Sequence, residues 1–172
     1  MGLLQTFRLF AAYNCWANTR LYDAASGLSD EACKRDCGAF FKSMHGTLNH
    51  ILVGDLVWMR RFTGEGEHPA ELDAVLFDEF AALREARQAE DARIIDWVRS
   101  LDEAAISGEF TFTPITMPQT VTQKLAPCIS HFFNHQTHHR GQAHTILSIL
   151  GETPPPLDLI YFTRTGEGKA LS

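Results

Sequence analysis

The chain has 172 residues, 45% hydrophobic and 21% charged, which predicts one domain over 1–172, or two at a stretch, with a core of its own. A formal net charge of −6 excludes a general grip on nucleic-acid phosphate or on an anionic membrane surface, because both need a basic face. No apolar run reaches the roughly 20 residues of a membrane span, and Met1–Arg8 lacks the basic start and small-residue cleavage site of a signal peptide, so the expected location is cytoplasmic.

Leu4, Phe7, Ala11, Asn14, Asn18, Leu21 and Ala25 follow a helical period with no Gly or Pro between Leu3 and Ser26. That stretch predicts a long first helix, ended by Gly27. Leu28–Glu31 predicts a turn carrying a new cap, and 29–41 an irregular or short helical link. A second long helix is expected from Ser43 to Phe62, on the stripe Leu48, Ile51, Leu52, Asp55, Trp58, Met59 and Phe62. Gly64-Glu65-Gly66 stops it, and a loop runs from there to about Phe77.

Asp78 is the expected N-cap of a third helix, with Glu79 in its first turn. Leu83, Ile94, Trp97, Val98 and Leu101 give that helix its apolar face. The charged run Arg84, Glu85, Arg87, Gln88, Glu90, Asp91, Arg93 is expected to be a solvated face laced with i,i+4 pairs. Glu109–Thr113 alternates and is rich in β-formers, and Pro114 and Pro118 punctuate the residues after it. This predicts a small hairpin before the last long helix. That helix should start near Thr122 or Gln123, with Pro127 in or just after its first turn, or as a regular helix only at Pro127, and run to about Leu150. Gly151 and Pro154–Pro156 end it. The tail from Leu157 should be extended, the ordered core about 3–163, and the last residues, Gly166–Ser172, disordered. Four long helices with one hairpin excursion make an all-α four-helix bundle, and twelve Phe predict a Phe-rich core.

Eight histidines are unevenly spread: His131, His135, His138, His139 and His144 crowd the last helix. Residues four apart share a helix face about 5–6 Å apart at Cβ, so two imidazoles so placed can offer ring nitrogens to one metal ion. His131/His135 and His135/His139 both have this spacing. His131 and His139 lie about 12 Å apart along the axis and cannot share an ion directly. The stripe Ile129, Phe132, Gln136, His139, Ala143, Ile146, Leu150 turns His139 inward, with His135 at its border and His131 and His138 further out. A third ligand is needed. His45, His50, His68, Asp55 and Cys128 are the available candidates, and spacing does not choose among them. Cys15, Cys33, Cys37 and Cys128 read as reduced thiols; Cys33 with Cys37 is weak ground for zinc. Arg140 is a possible anion partner for substrate, with a surface ion pair the plainer reading. No dinucleotide or phosphate-binding glycine loop, no Gly-x-Ser-x-Gly and no Glu-x-x-His repeats of a di-iron bundle occur, which favours a mononuclear centre.

Asn134-His135-Gln136-Thr137-His138-His139-Arg140-Gly141-Gln142 resembles the NHxxxHRGQ signature of the DinB/YfiT-like family. Tyr13–Asn18 resembles that family's first-helix motif, and Leu48-Asn49-His50-Ile51 its second-helix segment. The resemblance covers nearly the whole chain. It implies an up-down-down-up four-helix bundle and a homodimer. It also implies a divalent ion (zinc first, with nickel or iron as alternatives) held by His50, His135 and His139. Three imidazoles leave a coordination position open, as at catalytic rather than structural zinc sites. The expected activity is therefore metal-dependent hydrolysis, or transfer to or from a low-molecular-weight thiol acting with a small-molecule substrate. A non-catalytic metal- or ligand-binding module of a stress response is the alternative. Asn14, Asn18, Asp55 and Gln142 are expected to orient the ligands or line the substrate pocket.

Overall fold

Apolar stripes and breakers set the elements of the computed structural model, which describes residues 1–67, 69–115 and 117–172. Four long helices, α1 (Leu3–Ala25), α3 (Met44–Thr63), α4 (Phe80–Ser100) and α6 (Leu125–Ile149), form the bundle. Short helices α2 (Asp30–Lys34) and α5 (Glu103–Ser107) lie in its connections. Strands β1 (Glu109–Phe112) and β2 (Val121–Lys124) pair antiparallel, with Phe112 opposite Val121. Helices α7 (Leu159–Phe162) and α8 (Gly166–Leu171) complete the chain.

Local chemistry accounts for the boundaries. The Ser43 hydroxyl accepts from Gly46 N–H at 3.0 Å and starts α3, and Gly64, at φ 75°, closes it in the left-handed conformation. Ser29 caps α2 in the same way. Three boundaries differ from the sequence expectation. Glu79, not Asp78, is the N-cap of α4, and its side chain makes no capping bond. Thr122 and Gln123 belong to β2, so α6 starts only at Leu125 with Pro127 in its first turn. The tail is helical rather than extended or disordered. Phe162 of α7 is fully buried against Tyr13 and Trp16, and Gln5 Nε2 donates to Leu171 O at the end of α8.

Cross-helix pairs give the directions. Asp55 meets Arg87 and Thr63 meets Arg93, numbers that rise together, so α3 and α4 run parallel. Phe10 meets Phe133 and Asn14 meets Arg140, so α1 and α6 are also parallel. His50 meets His139 and Trp58 meets His131, so α3 and α6 are antiparallel. The bundle is therefore up-down-down-up, and the 64–79 connection travels its length to start α4 beside the start of α3.

The core has three layers along the bundle axis. At one end Leu21, Met44, Leu48, Leu83 and Leu147 pack together. At the other end the packing is Phe-rich, with Phe7, Ile94, Phe132 and Phe133. Between them lies a buried polar layer, and here the structure overturns two surface assignments. Arg87, Asp91 and Arg140 are 1%, 3% and 2% exposed, not solvated. Arg87 Nη1 bonds Asp55 Oδ2, and Gln136 Nε2 donates to Asp55 Oδ1 at 2.6 Å. Asn18 and Asn14 donate to Asp91 Oδ1 at 2.9 and 3.2 Å and accept from Arg140. Arg87 Nη2 lies 3.1 Å from Asp91 Oδ1, at ion-pair distance but without hydrogen-bond alignment. Two arginines balance two aspartates, so four helices exchange charge-assisted bonds around a layer of no net charge.

Candidate metal centre

The histidines sit where α3 and α6 cross beside this polar layer. His50 comes from α3, and His135 and His139 from α6, one turn apart. One ligand atom from each lies within 4.8 Å of the others, the one such group of His, Cys, Asp or Glu among the described residues. His50 and His139 present Nε2 to Nε2 at 3.2 Å. Ring centroids of His135 lie 4.3 Å from His139 and 5.3 Å from His50.

Each of two rings is held by its other nitrogen. His50 Nδ1 donates to Leu72 O at 2.7 Å, from the connection before α4. His139 Nδ1 donates to Gln142 Oε1 at 2.8 Å, one turn along α6. A carbonyl oxygen only accepts, so both Nδ1 atoms carry the proton and both Nε2 atoms keep a lone pair. Nδ1 of His135 is buried without a partner. Phe41 stacks on His50 at 3.7 Å with an interplanar angle of 16° and closes one side.

Gly54, one turn after His50, makes room for the third ring. A Cβ there would lie 2.7 Å from His135 Cε1 and 3.2 Å from its Nδ1. Burial is the largest cause that keeps the three imidazoles neutral. His50 is pushed down to about 4 and His135 to about 3, with His139 lowered as well. Neutral, oriented nitrogens are what a divalent ion requires. The lone pairs, the unpartnered Nδ1 and the Gly54 cradle all fit such an ion.

A cleft of about 320 Å³ opens over His50 and His135, walled by Trp58, Arg61, Leu72, Phe112 and His131. The hairpin supplies one wall: Phe112 packs on Trp58 at 5.3 Å, and Phe110 on Phe62 at 5.3 Å. A second cavity of similar size, lined by Phe10, Tyr13, Phe133 and Arg140, lies on the other side of α6.

The other sequence candidates fall in three groups. Gln142 touches His139 directly. Asn14, Asn18 and Asp55 lie in the polar layer and bond to Arg140, Asp91, Arg87 and Gln136 rather than to the imidazoles. His45 is buried beside Asn49, Cys128 contacts Gln123, and neither joins the cluster. Cys33 and Cys37 join no metal-competent group among the described residues, and His68 lies outside those residues. His131, which the apolar stripe places further out, lines the cleft with its ring 5.2 Å from Trp58. Sequence reasoning missed Gly54, Phe41 and Arg61. Gly54 alone carried a signal, a helix-breaking residue four after a histidine, inside the apolar run Ile51–Val57 that only Asp55 also interrupts.

The family model described as the DinB family matches residues 3–169. Protein DinB of Bacillus subtilis (strain 168) is 25% identical over 168 residues, which span 92% of this chain and 95% of that protein. The crystal structure of a DinB-like protein from Bacillus cereus ATCC 10987 matches with a TM-score of 0.66 at 18% identity, over 90% of this chain and 95% of that one. At that identity the likeness speaks for the fold.

Proposed function

The chain belongs to the DinB family, and on that premise we propose that it binds one divalent ion through His50, His135 and His139 and uses it on a small molecule. The observation that carries this reading is the 3.2 Å approach of two Nε2 atoms that both hold lone pairs. Two lone pairs so close repel unless a cation or a proton lies between them. Burial disfavours the proton, so a metal ion is the better partner.

When bound, a divalent ion with three imidazole ligands leaves a position where a water or a thiol loses its proton more easily. The chain's own residues do the rest. Leu72 O and Gln142 hold two imidazoles in the ligating tautomer. Gly54 admits the third, and Phe41, Trp58 and Phe112 exclude water from the walls. We assign the activity to transfer involving a low-molecular-weight thiol, or to hydrolysis. Zinc is the first choice of metal, with nickel and iron also suited to imidazole. Four free cysteines suit a reducing, cytoplasmic setting, and the family resemblance supports a homodimer.

A non-catalytic metal- or ligand-binding module is the second reading. It is favoured by the lack of a carboxylate among the described residues lining the cleft, which leaves only imidazoles as bases there. Elemental analysis of the untagged chain tests the centre: about one ion per chain is expected, with loss in His139→Ala. Equal metal content in the two proteins refutes it. Turnover of electrophiles with small thiols, with and without chelator, separates enzyme from module.

A further inference from the structure

We propose that Arg61 is the substrate-recognition residue of the metal cleft and that the substrate is a small carboxylate carrying a flat apolar group. The inference rests on reading that cleft as the substrate site. His50, Gly54, Trp58 and Arg61 succeed one another along one face of α3, so Arg61 opens onto the cavity that holds the histidines. Its guanidinium stacks 4.7 Å from the Trp58 ring centroid and 5.0 Å from that of Phe112. Those stacks fix its direction but satisfy none of its N–H donors. Its Nε is buried without a hydrogen-bond partner, and among the described residues Arg61 forms no ion pair.

The position of Arg61, more than the missing ion pair, points to a ligand. The chain carries 21 acidic residues against 15 basic ones, yet no Asp or Glu is among the described residues lining this cleft. Arg84, Arg87, Arg93 and Arg99 have carboxylate partners, whereas Arg8, Arg20, Arg35, Arg60, Arg140 and Arg164 form no ion pair among the described residues; Arg61 differs from these in lining the cleft over His50 and His135. A planar guanidinium with free parallel N–H groups matches a carboxylate two bonds at a time. Trp58, Phe112, Leu72 and Pro114 offer apolar walls for the remainder of the ligand, and a volume of about 320 Å³ keeps it small.

The test uses benzoate and its neutral isostere benzamide as probes, titrated by ligand-observed NMR. Both the chelator-treated and the zinc-supplemented full-length chain are titrated. The native chain is expected to bind benzoate about tenfold or more tighter than benzamide. Arg61→Gln should abolish that preference and leave benzamide binding unchanged. Arg61→Lys should keep part of it, because a point charge remains while the planar fork is lost. Equal binding of the two probes by the native chain, or an undiminished preference in Arg61→Gln, overturns the proposal. Should Arg61→Gln not fold, the native preference and its reduction in Arg61→Lys decide the matter. The chelator-treated arm separates the two ideas. An Arg61-dependent preference without metal binding supports Arg61 while sinking the metal reading, and bound zinc without that preference does the reverse.

Discussion

Replacing Gly54 by Ala adds one methyl group between α3 and the His135 ring, and its two consequences differ greatly in size. The added Cβ would stand 2.7 Å from His135 Cε1, where an ordinary carbon contact needs about 3.5 Å or more. The ring must therefore withdraw by roughly 1 Å. Zinc–imidazole bonds are about 2.0–2.1 Å long, so that displacement removes a ligand. Loss of a supporting partner outside the ligand set already costs about 10–100-fold in metal affinity, and loss of a ligand should cost about 100-fold or more. Stability moves far less. Alanine gains about 1 kcal/mol over glycine inside a helix, while overpacking costs about 1–3 kcal/mol. The metal-free variant should thus melt within a few degrees of the native chain, while its zinc affinity, read by competition with a chromophoric chelator, collapses. Gly141→Ala is the control: no atom lies within 4 Å of its added Cβ, so it should raise the melting temperature slightly and leave zinc binding untouched. Native zinc affinity in a folded Gly54→Ala protein would refute the placement of His135 as a ligand.

Asp55→Ala should destabilise the chain by about 3–5 kcal/mol in chemical denaturation, because it strips the buried Arg87 of one of its two carboxylates; a change below about 1 kcal/mol would mean the layer is solvated. Acid should destabilise the metal-free chain. His50 near 4 and His135 near 3 in the fold, against about 6.5 when unfolded, take up protons only on unfolding, so stability is lost as pH falls from about 6.5 to about 4. Asp55, lifted by burial to about 6, offsets part of this across the same window, and Asp91, also raised by burial, adds to that offset, while His139, lowered by burial, adds to the loss. A melting temperature at pH 5 equal to or above that at pH 7, in chelator, contradicts this sign.

The helices were readable because each long one repeats its apolar residues near a period of 3.6, and α1, α3 and α6 meet Gly, Pro or a capping serine at an end. The inward turn of His139 was readable for the same reason. The third imidazole of the cluster was not: nothing local distinguishes His50 from His45, since only the packing of α3 on α6 brings one of them to His139. Resemblance, not spacing, pointed to His50. The charged run of α4 misled for a different reason. Charge predicts solvent exposure when each residue is weighed alone, yet Leu83, Arg87, Asp91, Ile94 and Val98 fall on one helical stripe, and all five are buried. The period was a better guide than the polarity. The same holds for Arg140, which lies between His139 and Ala143 on the buried face of α6.

That buried layer bears on the candidate metal centre. The Gln136–Asp55 bond joins α6 to α3 at 2.6 Å, between residues that directly succeed His135 and Gly54. Apolar side chains at the two ends of the bundle set how strongly the helices associate, but their contacts are non-directional and tolerate small slides. A charge-assisted hydrogen bond has a narrow range of length and angle. Placed next to His135 on α6 and next to Gly54, one turn beyond His50, on α3, it holds the α3–α6 separation within a narrow range, as a three-nitrogen metal site demands. Arg87, Asp91, Asn14, Asn18 and Arg140 then tie that bond to α1 and α4, so the register of all four helices is held where His50 meets His139. On this view the layer trades some stability that an apolar core would supply for a fixed geometry beside the site. Asp55→Ala should therefore weaken zinc binding as well as folding, although Asp55 touches none of the three imidazoles.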